Sequence, residues 1–477
     1  MKNWRNVSFY LATVGGFSAL MFWLMVEGSK LEKGRNFLTT NPEGSKWKLF
    51  LDTIQLNVGH PLAILLAQIF TIILVARIFG WICRKIGQPT VIGEMIAGIA
   101  LGPSLLGMCF PDLSATLFPV ESLGNLQFLS QIGLILFMFI VGMELDLNVL
   151  RTQANDAVVV SHASIIVPFA LGMGLAYYIY EPFAPEGIRF ASFGLFIGIA
   201  MSITAFPVLA RIVQERNMHK TRLGTIVLTC AAADDITAWC ILAVVIAIVN
   251  AGSVVSALLM VTLAILYVLV MIKGVRPFFK RISHLQTSNQ NLSKPLVGII
   301  FLTLILSTYA TEVIGIHALF GAFMAGAIMP ENEKFRSLFI EKVEDVALVL
   351  LLPLFFVFTG LRTEIGLLTD PQLWKITGLI ILVAVAGKFL GSALAARFVG
   401  QSWKDSLTIG ALMNTRGLME LVVLNIGYDL GVLSPEIFSI MVFMALITTF
   451  MTAPALDLIN YLFASGKSKT PSKNTLD

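Results

Sequence analysis

The feature that most constrains this chain is the recurrence of apolar runs about 20 residues long, the length a helix needs to cross a bilayer's hydrocarbon core. One runs from Val7 to Val26 and is followed by a polar stretch to about Gly59. Six more begin near His60, Thr90, Gln127, Ala157, Arg189 and Arg222. A lone run from Val254 to Ile272 comes next, and a second six begin near Lys294, Ile316, Val343, Leu373, Ser406 and Pro435. In lipid a spanning segment must satisfy its own backbone N–H and C=O groups, so such runs read as helices. The pattern predicts an all-α polytopic membrane protein with about 13–14 transmembrane helices. Composition agrees: 57% of the 477 residues are apolar and only 13% charged, against about a quarter charged in a soluble domain. That balance excludes a disordered chain, a nucleic-acid binder and a disulfide scaffold. Cys83, Cys109, Cys230 and Cys240 have no metal-site spacing and read as small apolar residues.

Lys and Arg favour cytoplasmic loops. Arg77, Arg84 and Lys85 fall on one side, and so do Arg211, Arg216, Lys220 and Arg222, then Lys273, Arg276, Lys280 and Arg281. Lys334 and Arg336, Arg397 and Lys404, and Lys467, Lys469 and Lys473 continue the series, while the alternate loops are poor in cations. Both termini are therefore expected in the cytoplasm. One loop breaks the rule: the stretch after the first run carries Lys30, Lys33, Arg35, Lys46 and Lys48. Lys2 and Arg5 precede the first run as in a signal peptide, but no clear small-residue cleavage site follows, which favours a retained helix.

The two sets of six echo one another. Their second helices read Gly93-Glu-Met-Ile-Ala97-Gly98 and Gly321-Ala-Phe-Met-Ala325-Gly326, ending in Pro103 and Pro330. Their third helices place Leu136-Phe137 before Gly142 and Leu354-Phe355 before Gly360. Their fifth contain Gly198-Ile-Ala-Met201-Ser202 and Gly410-Ala-Leu-Met413-Asn414. A six-helix unit restarted after one extra crossing is inserted upside down, which makes an inverted repeat, a common plan in secondary transporters. The expected organisation is an extra helix and basic loop over 1–59, a first repeat over 60–250, a linker over 251–293, a second repeat over 294–463 and a short cytoplasmic tail over 464–477.

Both fifth helices carry groups that weaken a helix at one depth. The first has Ser202, Thr204 and Pro207; the second has Asn414, Thr415, Arg416 and Gly417. Proline removes a helix hydrogen bond and glycine lowers the cost of unwinding. Two kinked but continuous helices would also fit either sequence alone. The coincidence favours broken helices that cross, with freed backbone groups lining a polar cavity.

A charge at the bilayer centre costs roughly 2.5–3.5 kcal/mol, so each needs a reason. Asp234 and Asp235 adjoin in an apolar helix, where they repel each other and lose hydration together. Neighbours on a helix point about 100° apart, so one can face a cavity and the other a neighbouring helix. Lys388, in the middle of another apolar run, reads as a salt-bridge partner for one of them, with snorkelling as the bland alternative. Arg416 and Glu420 form a plausible i, i+4 pair, structural or functional. Glu94 and Glu144 stand nearer helix ends, and His162 and His317 read as satisfied core histidines.

Ile314-Gly-Ile-His-Ala-Leu-Phe-Gly-Ala-Phe-Met-Ala-Gly326, the Asp234-Asp235 pair and Met413-Asn-Thr-Arg-Gly417 together resemble the monovalent cation–proton antiporters. The similar branch holds plant cation/proton exchangers, bacterial sodium–proton antiporters and the membrane part of glutathione-gated potassium efflux systems. The resemblance spans about His60 to Phe463. It implies a six-helix dimerisation bundle moving against a six-helix core, and hence a homodimer. By motif position it implies Asp235 as the carrier of ion or proton, Asp234 as the partner of Lys388, and Thr204 as a cavity ligand, so that Asp235 and Thr204 would hold an alkali cation. The efflux systems add a nucleotide-binding domain after the membrane part, and none is expected here.

The resulting expectation is a secondary antiporter exchanging sodium or potassium for protons, with no cofactor and no catalytic residues. Protons and cations would compete for one desolvated carboxylate. If cation binding at Asp235 opened the Asp234–Lys388 bridge, Lys388 would release a second proton and exchange would be electrogenic. A channel would need carbonyl or charge rings, which are not evident. An intramembrane enzyme would need a nucleophile–base set or paired metal ligands, which the five histidines do not offer.

Overall fold

The computed structural model describes residues 2–32, 46–144, 154–216, 218, 221–250, 254–286, 293–330, 332–367 and 371–464. The cations Lys33, Arg35, Lys220, Lys467, Lys469 and Lys473 and most of the 464–477 tail lie outside them, as does the side chain of Pro207. All regular structure among the described residues is helical. Residues 1–60 form one compact unit and residues 61–477 another. The first holds α1 (Lys2–Gly28) and α2 (Lys46–Val58).

The second unit begins with α3 (Pro61–Lys85), α4 (Thr90–Leu101), the short α5 (Pro111–Leu117), α6 (Val120–Glu144) and α7 (Ala154–Phe183). It continues through α8 (Phe190–Ser202), α9 (Phe206–Glu215), α10 (Arg222–Asn250), α11 (Val254–Val270) and α12 (Arg276–Gln286). The later half holds α13 (Lys294–Ile314), α14 (Ala318–Ala327), α15 (Glu333–Glu344), α16 (Leu352–Leu361), α17 (Pro371–Val385), α18 (Gly391–Phe398), α19 (Trp403–Met413), α20 (Leu418–Asp429) and α21 (Pro435–Ala464). π-turns join α15 to α16 and α17 to α18, so each of these pairs is one long span.

Among the described residues eleven helices are long and apolar enough to cross a membrane, and the bent pair α19–α20 makes twelve. The other two expected segments are the shorter apolar helices α8 and α14. Each is short for a stated reason. α8 stops where Ile203 and Ala205 leave helical geometry. α14 starts late because Gly315 ends α13 in the left-handed region and His317 turns the chain with a φ of 78°.

The packing repeats between the two sets. α4 lies against α16, and its counterpart α14 lies against α6. At the first contact a Cβ on Gly98 would stand 2.9 Å from Gly360 Cα; at the second, a Cβ on Gly326 would stand 2.9 Å from Gly142 Cα. Gly98 and Gly326 occupy matching positions in their sets, and so do Gly360 and Gly142. This reciprocity is consistent with the inverted repeat read from the sequence. With no hydrophobic drive between helices in lipid, such small-residue contacts hold them by close van der Waals approach.

Candidate ion-binding site

The two broken helices meet at their breaks. The Ala205 N–H donates to Thr415 O across 3.1 Å, so each break satisfies part of the other's freed backbone. α19 and α20 bend by 41° at theirs. Gly417 there has φ 156°, and a Cβ would stand 3.0 Å from Val208 Cγ2 on the crossing helix. Only glycine fits that conformation without strain.

A helix C-terminus exposes its last carbonyls and carries partial negative charge. At the end of α8 two cations meet those carbonyls. Arg416 donates to Ala200 O (3.0 Å) and Met201 O (2.8 Å), and Lys388 donates to Ser202 O (2.5 Å). Lys388 also donates to Ser164 O (2.8 Å) and lies 3.2 Å from Asp234 Oδ2. It sits in the π-turn Ala386–Leu390, where an inserted residue re-aims side chains. The neighbouring Gly387 lets that turn approach Pro168 of α7.

Asp234 is saturated with donors. Ser161 gives 2.7 Å to Oδ1; Ser164 (2.5 Å) and Thr204 (2.9 Å) reach Oδ2 beside Lys388. Thr204 also points at Met413 O from 3.5 Å, while the Ser202 hydroxyl returns to Gly198 O of its own helix. Asp235 is different. It is buried, and neither of its carboxylate oxygens has a hydrogen-bond partner.

At the second break, Arg416 Nη1 lies 3.1 Å from Glu420 Oε1 in the first turn of α20. A carboxylate there complements the helix N-terminus. Thr449 of α21 holds the backbone of Arg416 at both its N–H and its carbonyl, and Thr415 pairs with Thr452 at 3.2 Å. Asn414 ends α19 with its side-chain carbonyl buried and unpartnered, and Glu420 Oε2 is likewise unpartnered.

The buried charged residues among those described are Asp234, Asp235, Glu420, Lys388 and Arg416. Two ion pairs, Lys388–Asp234 and Arg416–Glu420, leave one carboxylate without a cation. That carboxylate is Asp235. Its bare oxygens are hard donors of the kind that alkali cations and protons bind.

The structure thus brings Ser202, Thr204, Asp234 and Lys388 into one hydrogen-bonded cluster. Arg416, paired with Glu420, stands beside it on the carbonyls of Ala200 and Met201, and Thr415 is held by Ala205 and Thr452. The fold aims the Thr204 hydroxyl, two residues past the Ser202 carbonyl that Lys388 caps, at Asp234 rather than at Asp235. His162 and His317 differ from the expected core histidines. His162 is exposed and bonds Val158 O of its own helix, and the half-buried His317 caps α14. Ser161 and Ser164 went unnoticed in the sequence, although their i, i+3 spacing in an apolar run was a signal. Thr449 and Thr452 went unnoticed for the same reason.

Broken helices that meet at their breaks around buried, incompletely paired charge are the binding-site plan of a secondary transporter. Residues 71–458 match the family model described as "Sodium/hydrogen exchanger, transmembrane", and the chain belongs to that family. Among its relatives, Na(+)/H(+) antiporter NhaS4 of Synechocystis is 45% identical over 396 residues, covering 83% of this chain and 97% of that protein. Cation/H(+) antiporter 17 of Arabidopsis thaliana is 40% identical over 412 residues, covering 86% of this chain and 50% of its own length. K(+)/H(+) antiporter 1 of Saccharomyces cerevisiae is 33% identical over 413 residues, covering 84% and 47%. The chain therefore spans about half the length of the plant and yeast relatives. A solved structure of the sodium proton antiporter MjNhaP1 from Methanocaldococcus jannaschii superposes with a TM-score of 0.58 at 15% identity, covering 85% of this chain and 98% of that one. This last likeness shows the fold alone.

Proposed function

We propose that the chain is a secondary antiporter that exchanges a monovalent cation, sodium or potassium, for protons by alternating access, with Asp235 as the carrier. The observation that carries this reading is the odd carboxylate: among the described residues two buried cations stand against three buried carboxylates, and the unmatched one has both oxygens bare. A lone buried carboxylate is costly in a low-dielectric interior. A proton or an alkali cation removes that cost equally well in charge, and only one can be held at a time. The core can then cross the apolar part of its path only when Asp235 is neutralised, which couples the two fluxes. Asn414 contributes its free carbonyl to the cation, and Thr204 acts through Asp234, holding the helix that carries Asp235. No cofactor takes part.

The test is collapse of a pH gradient in proteoliposomes on adding sodium, lithium, potassium or rubidium. Proton flux should require an added cation and follow it stoichiometrically; a flux indifferent to cations would point to a channel. Asp234 keeps three hydroxyl donors besides Lys388. It therefore stays solvated if Lys388 gives up its charge, which supports a two-proton, electrogenic cycle. A sodium jump should evoke a transient current on a solid-supported membrane. Active exchange without that current would leave Lys388 a purely structural role. The proposal extends to a homodimer in the cell membrane with both termini in the cytoplasm; the cation-rich alternate loops support that orientation.

A further inference from the structure

Residues 46–58 lie outside the stretch that matches the family model, and the transport site makes no use of them. The loop from 29 to 58 carries five Lys and Arg against Glu32, Glu43 and Asp52, and it is the loop that breaks the charge alternation. Its helix α2 has 13 residues, about 20 Å at the helical rise and too short to span. At 100° per residue, Phe50, Ile54, Trp47, Val58 and Leu51 fall within one 100° arc, Gln55, Lys48 and Asp52 follow along one flank of it, and Leu56 and Leu49 lie opposite. All five apolar side chains of the arc are exposed, and the rings of Trp47 and Phe50 pack at 5.5 Å. The chain itself says what lies against that face. α1 is a candidate span, and Pro61, three residues after Val58, begins another. So short a tether keeps the end of α2 within about 10 Å of the bilayer surface.

We propose that α2 lies in the membrane–water interface, its Trp47–Ile54 face at the headgroup–acyl boundary and its basic start on anionic phospholipid headgroups. Tryptophan favours that depth, and an amphipathic helix binds there through apolar area plus attraction to anionic lipid. Each basic residue near such a surface adds to the attraction, which salt screens. The proposal resolves the charge anomaly, since these cations are matched by lipid phosphate rather than by the side of the membrane.

The test uses the full chain with its four cysteines replaced by serine, shown active, and a spin label at Ile54→Cys or Gln55→Cys in nanodiscs. Collision with oxygen and with a water-soluble nickel chelate reports depth. In nanodiscs one-third phosphatidylglycerol, the label at position 54 should favour oxygen several-fold and the label at 55 should favour nickel. The contrast should shrink in pure phosphatidylcholine and in the Lys46→Gln, Lys48→Gln double variant. Equal nickel access at both positions would overturn the proposal in favour of a helix in water. Shielding of position 54 from both reagents would overturn it in favour of a protein partner. A contrast indifferent to lipid charge and to both lysines would overturn the anionic assignment.

Discussion

The two broken crossings begin alike in sequence and end with opposite electrical states. At the first, the C-terminus of α8 receives Lys388 and Arg416, and the carboxylate facing the following helix, Asp235, is left unmatched. At the second, Arg416 in the break is matched by Glu420 in the first turn of α20, and hydroxyls from Thr449 and Thr452 complete the break. Matching positions in the repeat hold Thr204 and Arg416, and each reaches toward the half-helix end of the other set. On the proposed reading, two matching breaks supply a similar backbone frame twice, and the side chains make one copy titratable and the other a fixed clamp. An exchanger needs one site that changes charge and a rigid frame that does not.

The sharpest way to break this comparison is to remove the odd charge. Asp235→Asn keeps the shape but can hold neither proton nor cation charge, so cation-coupled exchange should fall more than 100-fold with folding unchanged. Exchange near the wild-type rate, read as pH-gradient collapse, would mean the first crossing is not the carrier.

Attacking the clamp should hurt stability instead. Arg416→Leu strands Glu420 and orphans the carbonyls of Ala200 and Met201, at a cost of about 3–5 kcal/mol. Glu420→Gln keeps a hydrogen-bond acceptor for Arg416 and should cost less. Thermal unfolding in detergent should rank them in that order. If Glu420→Gln abolished exchange in a stable protein, the second crossing would also be titrating.

Gly417→Ala should cost about 1–3 kcal/mol from backbone strain at φ 156° and from contact with Val208. The same substitution at Gly124, which has open space around it, gives a control for handling losses.

The smallest effect is expected at Thr204. Thr204→Val removes one of three hydroxyl donors to Asp234 and should weaken apparent cation affinity a few-fold, with Thr204→Ser restoring it. A loss as complete as that of Asp235→Asn would make Thr204 a direct ligand and shift the site toward Met413.

The sequence by itself determined what the solvent imposes and what a helix imposes locally. Apolar run lengths fixed the helices because lipid leaves the backbone no other partner, and residues such as Asp234, Asp235 and Lys388 stood out because charge is costly at that depth. The paired wording of Gly98 with Gly326 and Gly142 with Gly360 made the repeat legible. Arg416 and Glu420 were readable as a pair from their i, i+4 spacing, which the structure keeps although Arg416 stands in the break before α20. Only the tertiary structure decided which aspartate is satisfied. Ser161 and Ser164 approach from α7, Lys388 from a π-turn and Thr204 from a break, and they converge on Asp234 although they lie 30 to 154 residues away. Adjacent aspartates are equivalent in a one-dimensional reading. The 100° between them on α10 becomes a chemical difference only when neighbouring helices surround one with donors and leave the other bare.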